Sequence, residues 1–339
     1  VWSPLGECLA STFEDCEGIS ERVKLFIEKE ENEWIDTQHA FFWIYDNEEL
    51  TYILAIHETV DNIMVTGKLC VCQFEHLIQA YKARVDKNRF YQNLLLDNLL
   101  LVDIYNRARK LHIEPEIPRV VFLIETPYDG DNIAMQMLRN LFEEQGECYL
   151  TAVEQKHIVM IKSVSKKDAY EEVEQIAQVI VDMLNAEAML AVKVAYGTIV
   201  GELKEVSKSY KEARMALDVG KIFFDERNII AYSELGIGRL IYQLPIPLCK
   251  MFIREIFDGK SPDDFDEETL ATINKFFENS LNVSETSRQL FIHRNTLVYR
   301  LEKIKKITGL DLREFDHAII FKIALMVVRY MKYMESTEY

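Results

Sequence analysis

Residues Asn282 to Gly309, NVSETSRQLFIHRNTLVYRLEKIKKITG, fix the fold of their neighbourhood more tightly than any other stretch. Asn282 is a helix N-cap residue, and Glu285, three positions on, has the spacing to close a capping box. Val283, Thr286 and Leu290 recur at helical spacing. Phe291 and Ile292 break that rhythm, and a second helix starts near His293 or Arg294. It runs to Gly309, a natural C-terminal stop, with Leu297, Leu301, Ile304 and Ile307 as its buried stripe. Two short helices joined by a tight connection make a helix-turn-helix.

The 3.6 period sorts the rest of the second helix. Asn295, Tyr299, Glu302, Lys303 and Lys306 fall away from the apolar stripe. Arg294 and Thr296 occupy the first turn, where a recognition helix meets base edges. Arg300 lies nearer the buried edge, which suits a phosphate or an internal partner better than a base. Arg can pair twice with guanine, Asn twice with adenine, and Lys can neutralise a phosphate. From Ser284 to Arg313 seven basic residues face three acidic ones, a local charge of +4 in a chain of −17, leaving −21 elsewhere. A basic island in an acidic protein is an electrostatic footprint for nucleic acid. The candidate DNA contacts are therefore Ser284, Arg288, His293, Arg294, Asn295, Thr296, Tyr299, Arg300, Lys303 and Lys306. The competing reading is a plain pair of amphipathic helices with a solvated basic face.

The run NVSETSRQLFIHRNTLVYRLEKIKKITGLDL closely resembles the C-terminal helix-turn-helix of the PucR/CdaR family of bacterial transcription regulators. The HRNTLxYRL core, the preceding Asn282-Val283-Ser284 and the following TGLDL carry the likeness. It departs at Ser287, where a small apolar residue is expected, and at Phe315, where the family is often polar. The resemblance implies binding to double-stranded operator DNA, and because helix-turn-helix proteins usually read paired half-sites a homodimer is expected. It also implies an N-terminal sensor that answers a small effector, a carboxylic acid in the CdaR group.

At 339 residues the chain has room for two or three domains, and 49% apolar with 28% charged is globular composition. No apolar run approaches the roughly 20 residues of a membrane span. With no membrane partner and no visible signal peptide, a cytoplasmic protein is expected. The chain begins at Val1, so a missing N-terminal segment is expected. Cys8, Cys16, Cys70, Cys72, Cys148 and Cys249 are scattered and read as reduced thiols, and the histidines lack ligand spacing. Neither metal nor cofactor is expected.

Residues 1–75 read as a small mixed domain, PAS-like or GAF-like and N-terminally truncated. It has a hairpin at VWSPLGECLAST, a helix from Ile19 to Glu33, and two strands flanking a turn at Asp46-Asn47. Strand alternation puts Phe41, Trp43 and Tyr45 on one face. Trp43, Tyr45 and His57 are the candidate effector contacts, against the plainer reading that the aromatics fill a core. Residues 76–113 read as a helical connector, since Lys68 to Ile113 holds neither Gly nor Pro. Leu94 to Leu101 is apolar nearly all round and calls for burial by several neighbours, a second subunit among them.

Residues 114–244 alternate strand and helix, hence an α/β domain. RVVFLIE should be its central strand and CYLTAVEQKHIVMIKSV a hairpin turning at Glu154-Gln155-Lys156. The AYG and SYKEARMAL runs resemble the GGDEF-like domain of the same family. Cyclases of that fold carry a glycine pair and metal-binding carboxylates on the hairpin. Ala152 to His157 reads AVEQKH, without the glycines and with Lys156 among the expected ligands. A degenerate, non-catalytic domain follows. The alternatives are a cyclic-nucleotide signalling enzyme or a domain that binds nucleotide without turnover. Residues 245–339 are then the DNA-binding domain, all-α, closed by a helix from His317 to Tyr333.

Overall fold

A computed structural model describes residues 1–12, 16–29, 31–36, 39–46, 49–57, 62–128, 132–142, 148–154, 156–166, 168–257 and 265–337. The turns expected at Asp46-Asn47 and Glu154-Gln155-Lys156 include positions outside them, as do the stretch Asn132 to Gln145, which reads as a helix, and half of the polar run GKSPDDFDEETL. The chain forms two units, Val1–Asn93 with Arg109–Ile113, and Leu94–Ala108 with Glu114–Tyr339.

In the first unit a three-stranded antiparallel sheet, β1 (Glu33–Ile35), β2 (His39–Asp46) and β3 (Glu49–His57), runs in the order β1-β2-β3. Alternation along β2 serves two cores. Phe41 joins Trp2, Val23 and Phe26 beneath helix α1 (Cys16–Glu28), while Ala40, Phe42 and Ile44 pack on the start of α2 (Ile63–Leu95). Gly67 of α2 is what lets the helix close on that second face. A Cβ there would stand 2.1 Å from the Phe42 ring. The N-terminal hairpin expected from sequence is reduced to an isolated bridge between Trp2 and Cys8, with Trp2 bridging Ile53 as well. Helix α1 stops at Glu28 rather than reaching Glu33, because Glu33–Ile35 pairs with β2 as an edge strand.

Helix α2 starts at Ile63, so it crosses the boundary read at residue 75. The leucine run is not a buried helix. Helix α2 ends at Leu95 and α3 takes up Leu101–Lys110. Between them Asp97 sits at φ 63, its carboxylate held by Lys211 at 2.8 Å and by the Ser207 hydroxyl at 3.4 Å. Leu94 and Leu95 are buried, whereas Leu96, Leu100 and Leu101 face solvent.

The second unit holds a five-stranded sheet of order β5-β6-β4-β7-β8, made from β4 (Arg119–Glu125), β5 (Cys148–Glu154), β6 (His157–Ser163), β7 (Lys193–Tyr196) and β8 (Ile229–Ala231). As the continuous apolar run RVVFLIE demands, β4 is central, antiparallel to both β6 and β7. Val120, Phe122 and Ile124 share one core with α4 (Asn132–Phe142) and α5 (Tyr170–Glu187). Helix α6 (Val206–Phe223) lies across β4 and β7. Val206, Tyr210, Ala213 and Leu217, which recur at the three-four spacing of one helix face, are all buried.

The AYG and SYKEARMAL runs meet at one place. Fully buried Ser209 receives the Val121 N–H on its hydroxyl oxygen at 3.0 Å and donates to the Thr198 carbonyl at 2.8 Å. Gly197 leaves room for this, since a Cβ there would lie 2.1 Å from the Ser209 carbonyl oxygen. Beyond the sheet, α7 (Gly238–Tyr242), α8 (Ile246–Phe257), α9 (Glu267–Glu278), α10 (Val283–Gln289), α11 (Arg294–Thr308) and α12 (Phe315–Thr337) complete the unit. Leu297, Leu301 and Ile304 share a core with Phe257, Ile273, Phe276 and Phe321. Tyr330 of α12 packs with Ile241 and Cys249.

Ser209→Ala leaves a buried N–H and a buried carbonyl without their partner. It should lower the free energy of unfolding by about 1–3 kcal/mol in urea titration. An unchanged midpoint would show that the hydroxyl does not join helix to sheet.

Candidate nucleic-acid interface

Local chemistry builds the helix-turn-helix. Asp266 caps α9 by accepting the Thr269 N–H at 2.7 Å. Asn282 caps α10, its Oδ1 accepting Ser284 N at 3.0 Å and Glu285 N at 3.1 Å. The reciprocal half of the expected capping box does not show. Glu285 instead receives Arg288 and Gln289, each at 2.7 Å, and the Asn282 N–H is donated to the Asn279 carbonyl at 3.0 Å.

Helix α10 ends in a Schellman motif, with Ile292 N–H on the Ser287 carbonyl at 3.0 Å and Phe291 N–H on that of Arg288 at 3.2 Å. Phe291 takes the left-handed position at φ 55, where a side chain costs roughly 1–2 kcal/mol relative to glycine. His293 caps α11, Nδ1 accepting the Asn295 N–H at 3.2 Å. At the far end Gly309, φ 76, donates its N–H to Lys305 O at 2.8 Å.

Of the ten candidate contacts, Ser284, Arg288, His293, Arg294, Asn295, Thr296, Tyr299, Lys303 and Lys306 are exposed. Tyr299 is 71% exposed. Arg300 turns inward, its guanidinium donating to Thr272 at 3.0 Å and pairing with Glu268. That is the internal partner its edge position allowed.

The basic island is smaller than the residue count suggests. Arg288 pairs with Glu285, Arg300 with Glu268, Lys303 with Asp266, Lys305 with Asp311, and Arg313 with both Asp311 and Glu302. Arg313 first, against the effect of burial, and Lys305 with it hold the Asp311 carboxyl far below its usual range. Bonds from Thr269, then Lys303, bring Asp266 down to about 2. Among the described residues no ion pair holds Arg294 or Lys306. Counted over residues 265–313, eight basic residues face seven acidic ones. Among the described residues of 265–313, the module therefore presents two cations without an ion-pair partner, Arg294 and Lys306, rather than a strong positive field.

The hairpin of the middle domain carries a second charged cluster. Glu125, at the end of β4, accepts from Lys221 and faces His157 Nε2 at 3.5 Å. His157 Nδ1 lies 2.9 Å from Glu154, whose other oxygen pairs with Arg214 at 2.7 Å. Burial alone would raise the Glu125 carboxyl, but the His157 imidazole facing it and the hydrogen bond and charge of Lys221 outweigh it, bringing it to about 2. The same contact with Glu125, helped by Glu154, raises His157. Sequence reasoning placed the intruding cation at Lys156. The cations that hold these carboxylates are His157, Lys221 and Arg214, two of them from α6 and so invisible in the hairpin itself.

Trp43 and Tyr45 come together, ring centroids 5.9 Å apart, and Trp43 packs edge-on against Phe26 at 5.8 Å. Tyr45 donates to Asn32 at 2.8 Å. The buried Trp43 indole N–H has no hydrogen-bond partner. His57 does not join them. It pairs across the sheet with His39, ring centroids 5.1 Å apart, four residues and roughly 13 Å along β2 from Trp43. The aromatic pair closes the core under α1, and the three candidates do not form one cluster.

Fold and surface define a helix-turn-helix module preceded by an α/β domain. The PucR C-terminal helix-turn-helix domain matches residues 269–327, and the GGDEF-like domain matches 98–219, beginning ahead of the boundary read at 114. The carbohydrate diacid regulator of Escherichia coli is 28% identical over 239 residues, covering 65% of this chain and 60% of that protein. The purine catabolism regulatory protein of Bacillus subtilis is 26% identical, covering 43% of this chain and 28% of its own length. The DNA-binding transcriptional activator AdeR of B. subtilis is 26% identical, covering 53% and 44%. In these two domains the chain is similar to regulators of the PucR/CdaR family. It spans less than two thirds of the length of these relatives.

A raised His157 stabilises the fold in its protonated form. That contribution is complete below the unfolded-state value near 6.5 and is lost as pH rises through the higher folded value. The gap in unfolding free energy between the wild-type chain and His157→Asn should therefore be widest near pH 6 and shrink toward pH 9 in urea titrations. A pH-independent gap would show that the imidazole is held by packing alone.

Proposed function

We propose that this chain is a sequence-specific DNA-binding transcription regulator that acts as a homodimer. The observation that carries the reading is the first turn of α11. His293 is spent on capping, and Arg294, Asn295 and Thr296 stand exposed beside it in a module matched to the PucR helix-turn-helix. The relatives named as regulators support the same reading. The proposed layout is a PAS-like or GAF-like sensor in 1–75, a connector in 76–113, a GGDEF-like domain in 114–244 and the DNA-binding domain in 245–339. The sensor would answer a small effector, a carboxylic acid by family analogy, and the chain would work in the cytoplasm. Among the described residues no helix is long and apolar enough to cross a membrane.

We read the middle domain as non-catalytic. Glu125 and Glu154, the carboxylates at and facing the hairpin, are engaged by Lys221, His157 and Arg214. A metal–nucleotide complex would have to displace all three.

The DNA test uses a duplex recovered from genomic fragments that the chain retains, beside a scrambled duplex. Asn295→Ala should lose about 1–3 kcal/mol on the recovered duplex and little on the scrambled one, because a base contact is removed. Lys303→Ala should weaken both alike, with a salt slope reduced by less than about one, because Lys303 already holds Asp266. Equal losses on both duplexes from Asn295→Ala would mean that α11 presents a different face.

Dimerisation is proposed along α2. Residues 79–86 of this helix are exposed on every side, and over two turns of helix gain little from propensity alone. Leu77 and Tyr81 are exposed at i and i+4, where a second copy would cover them. Leu77→Glu with Tyr81→Glu should convert dimer to soluble monomer in sedimentation velocity. A dimer that persists excludes this surface. Leu95 is unsuited to the test because it is core.

A further inference from the structure

Phe291 is left unexplained by the fold. Its ring is 94% exposed, the most exposed large apolar side chain of the described residues. The next residue, Ile292, packs against the core of the module. Phe291 occupies the one backbone position in the turn where glycine removes strain, and the same motif uses Gly309 at the equivalent end of α11. A ring held in water on a left-handed residue is not a stabilising feature of the free chain.

Its neighbours say what would cover it. Arg288 stands three residues before it, and His293 and Arg294 follow it, all exposed. Arg294 holds no ion pair among the described residues. An apolar protein surface laid on this spot would bury that cation without compensation, whereas nucleic acid supplies phosphates beside apolar sugar edges. The residue also lies just ahead of the turn that reaches base edges, where the backbone of the duplex passes rather than its bases.

We propose that Phe291 is a DNA contact of the helix-turn-helix, its ring packing on deoxyribose at the groove edge where α11 enters. This rests on the DNA reading and adds an apolar, sequence-tolerant contact to it. Every contact weighed above from the α11 sequence is polar, charged or tied to a base.

The test uses the full chain with Phe291→Gly, and Phe291→Asn as a second variant that tolerates the same backbone. Binding is read by fluorescence anisotropy at several salt concentrations, on the recovered and the scrambled duplex. Both variants should keep or raise the melting temperature and weaken binding to both duplexes about tenfold. The slope of log affinity against log salt should stay unchanged, because no phosphate contact is lost. Affinities equal to wild type would overturn the contact, as would a loss accompanied by a lower melting temperature or a changed sedimentation coefficient. A wild-type chain that retains no DNA at all would overturn the DNA reading itself, and the Phe291 contact with it.

Discussion

The rotation of α11 about its own axis decides which side chains the helix-turn-helix presents outward, and two interactions set it. Leu297, Leu301 and Ile304 lock one face into the core with Phe276 and Phe321. Arg300 then straps the adjoining edge to Thr272 and Glu268 of α9. With those fixed, Asn295, Tyr299 and Lys306 have nowhere to point except outward. The caps extend the same logic, since Asn282 and His293 hold both helix starts without spending the exposed first turn of α11 on internal bonds.

The α/β domain is organised by a different constraint, the close passage of α6 over the central strand. Ser209 bonds both to β4 and to the segment after β7, and Gly197 removes the side chain that would keep α6 away. The same helix brings Lys221 and Arg214 to Glu125 and Glu154. Helix α6 therefore both closes the sheet and neutralises the carboxylates near the hairpin. In cyclases of the GGDEF fold, which this domain resembles, hairpin carboxylates hold metal.

Features set by neighbours in sequence were legible before the structure. The two helices of the motif, the Asn282 cap, the stop at Gly309 and the central strand Arg119–Glu125 all follow from local periodicity and end signals. Features set by distant partners were not. The +4 island shrinks because Asp266 and Glu268 arrive from α9. The leucine run breaks because Asp97 finds Lys211 and Ser207 more than a hundred residues away. Strand Ile229–Ala231 is three residues long and pairs in parallel with β7, too short for alternation to register. Trp43, Tyr45 and His57 shared a plausible chemistry but not a place, since strand register puts His57 at the other end of β2.

The central claim is that the exposed first turn of α11 selects DNA sequence. Sequencing the genomic fragments retained by the wild-type chain, in parallel with Arg294→Ala, tests it most directly. Fragments concentrated at a few sites, each with two related half-sites about one helical turn apart or a multiple of it, are the predicted result. Arg294→Ala should flatten that enrichment. Uniform coverage by the wild-type chain, or the same sites retained at the same strength by the variant, would contradict the account.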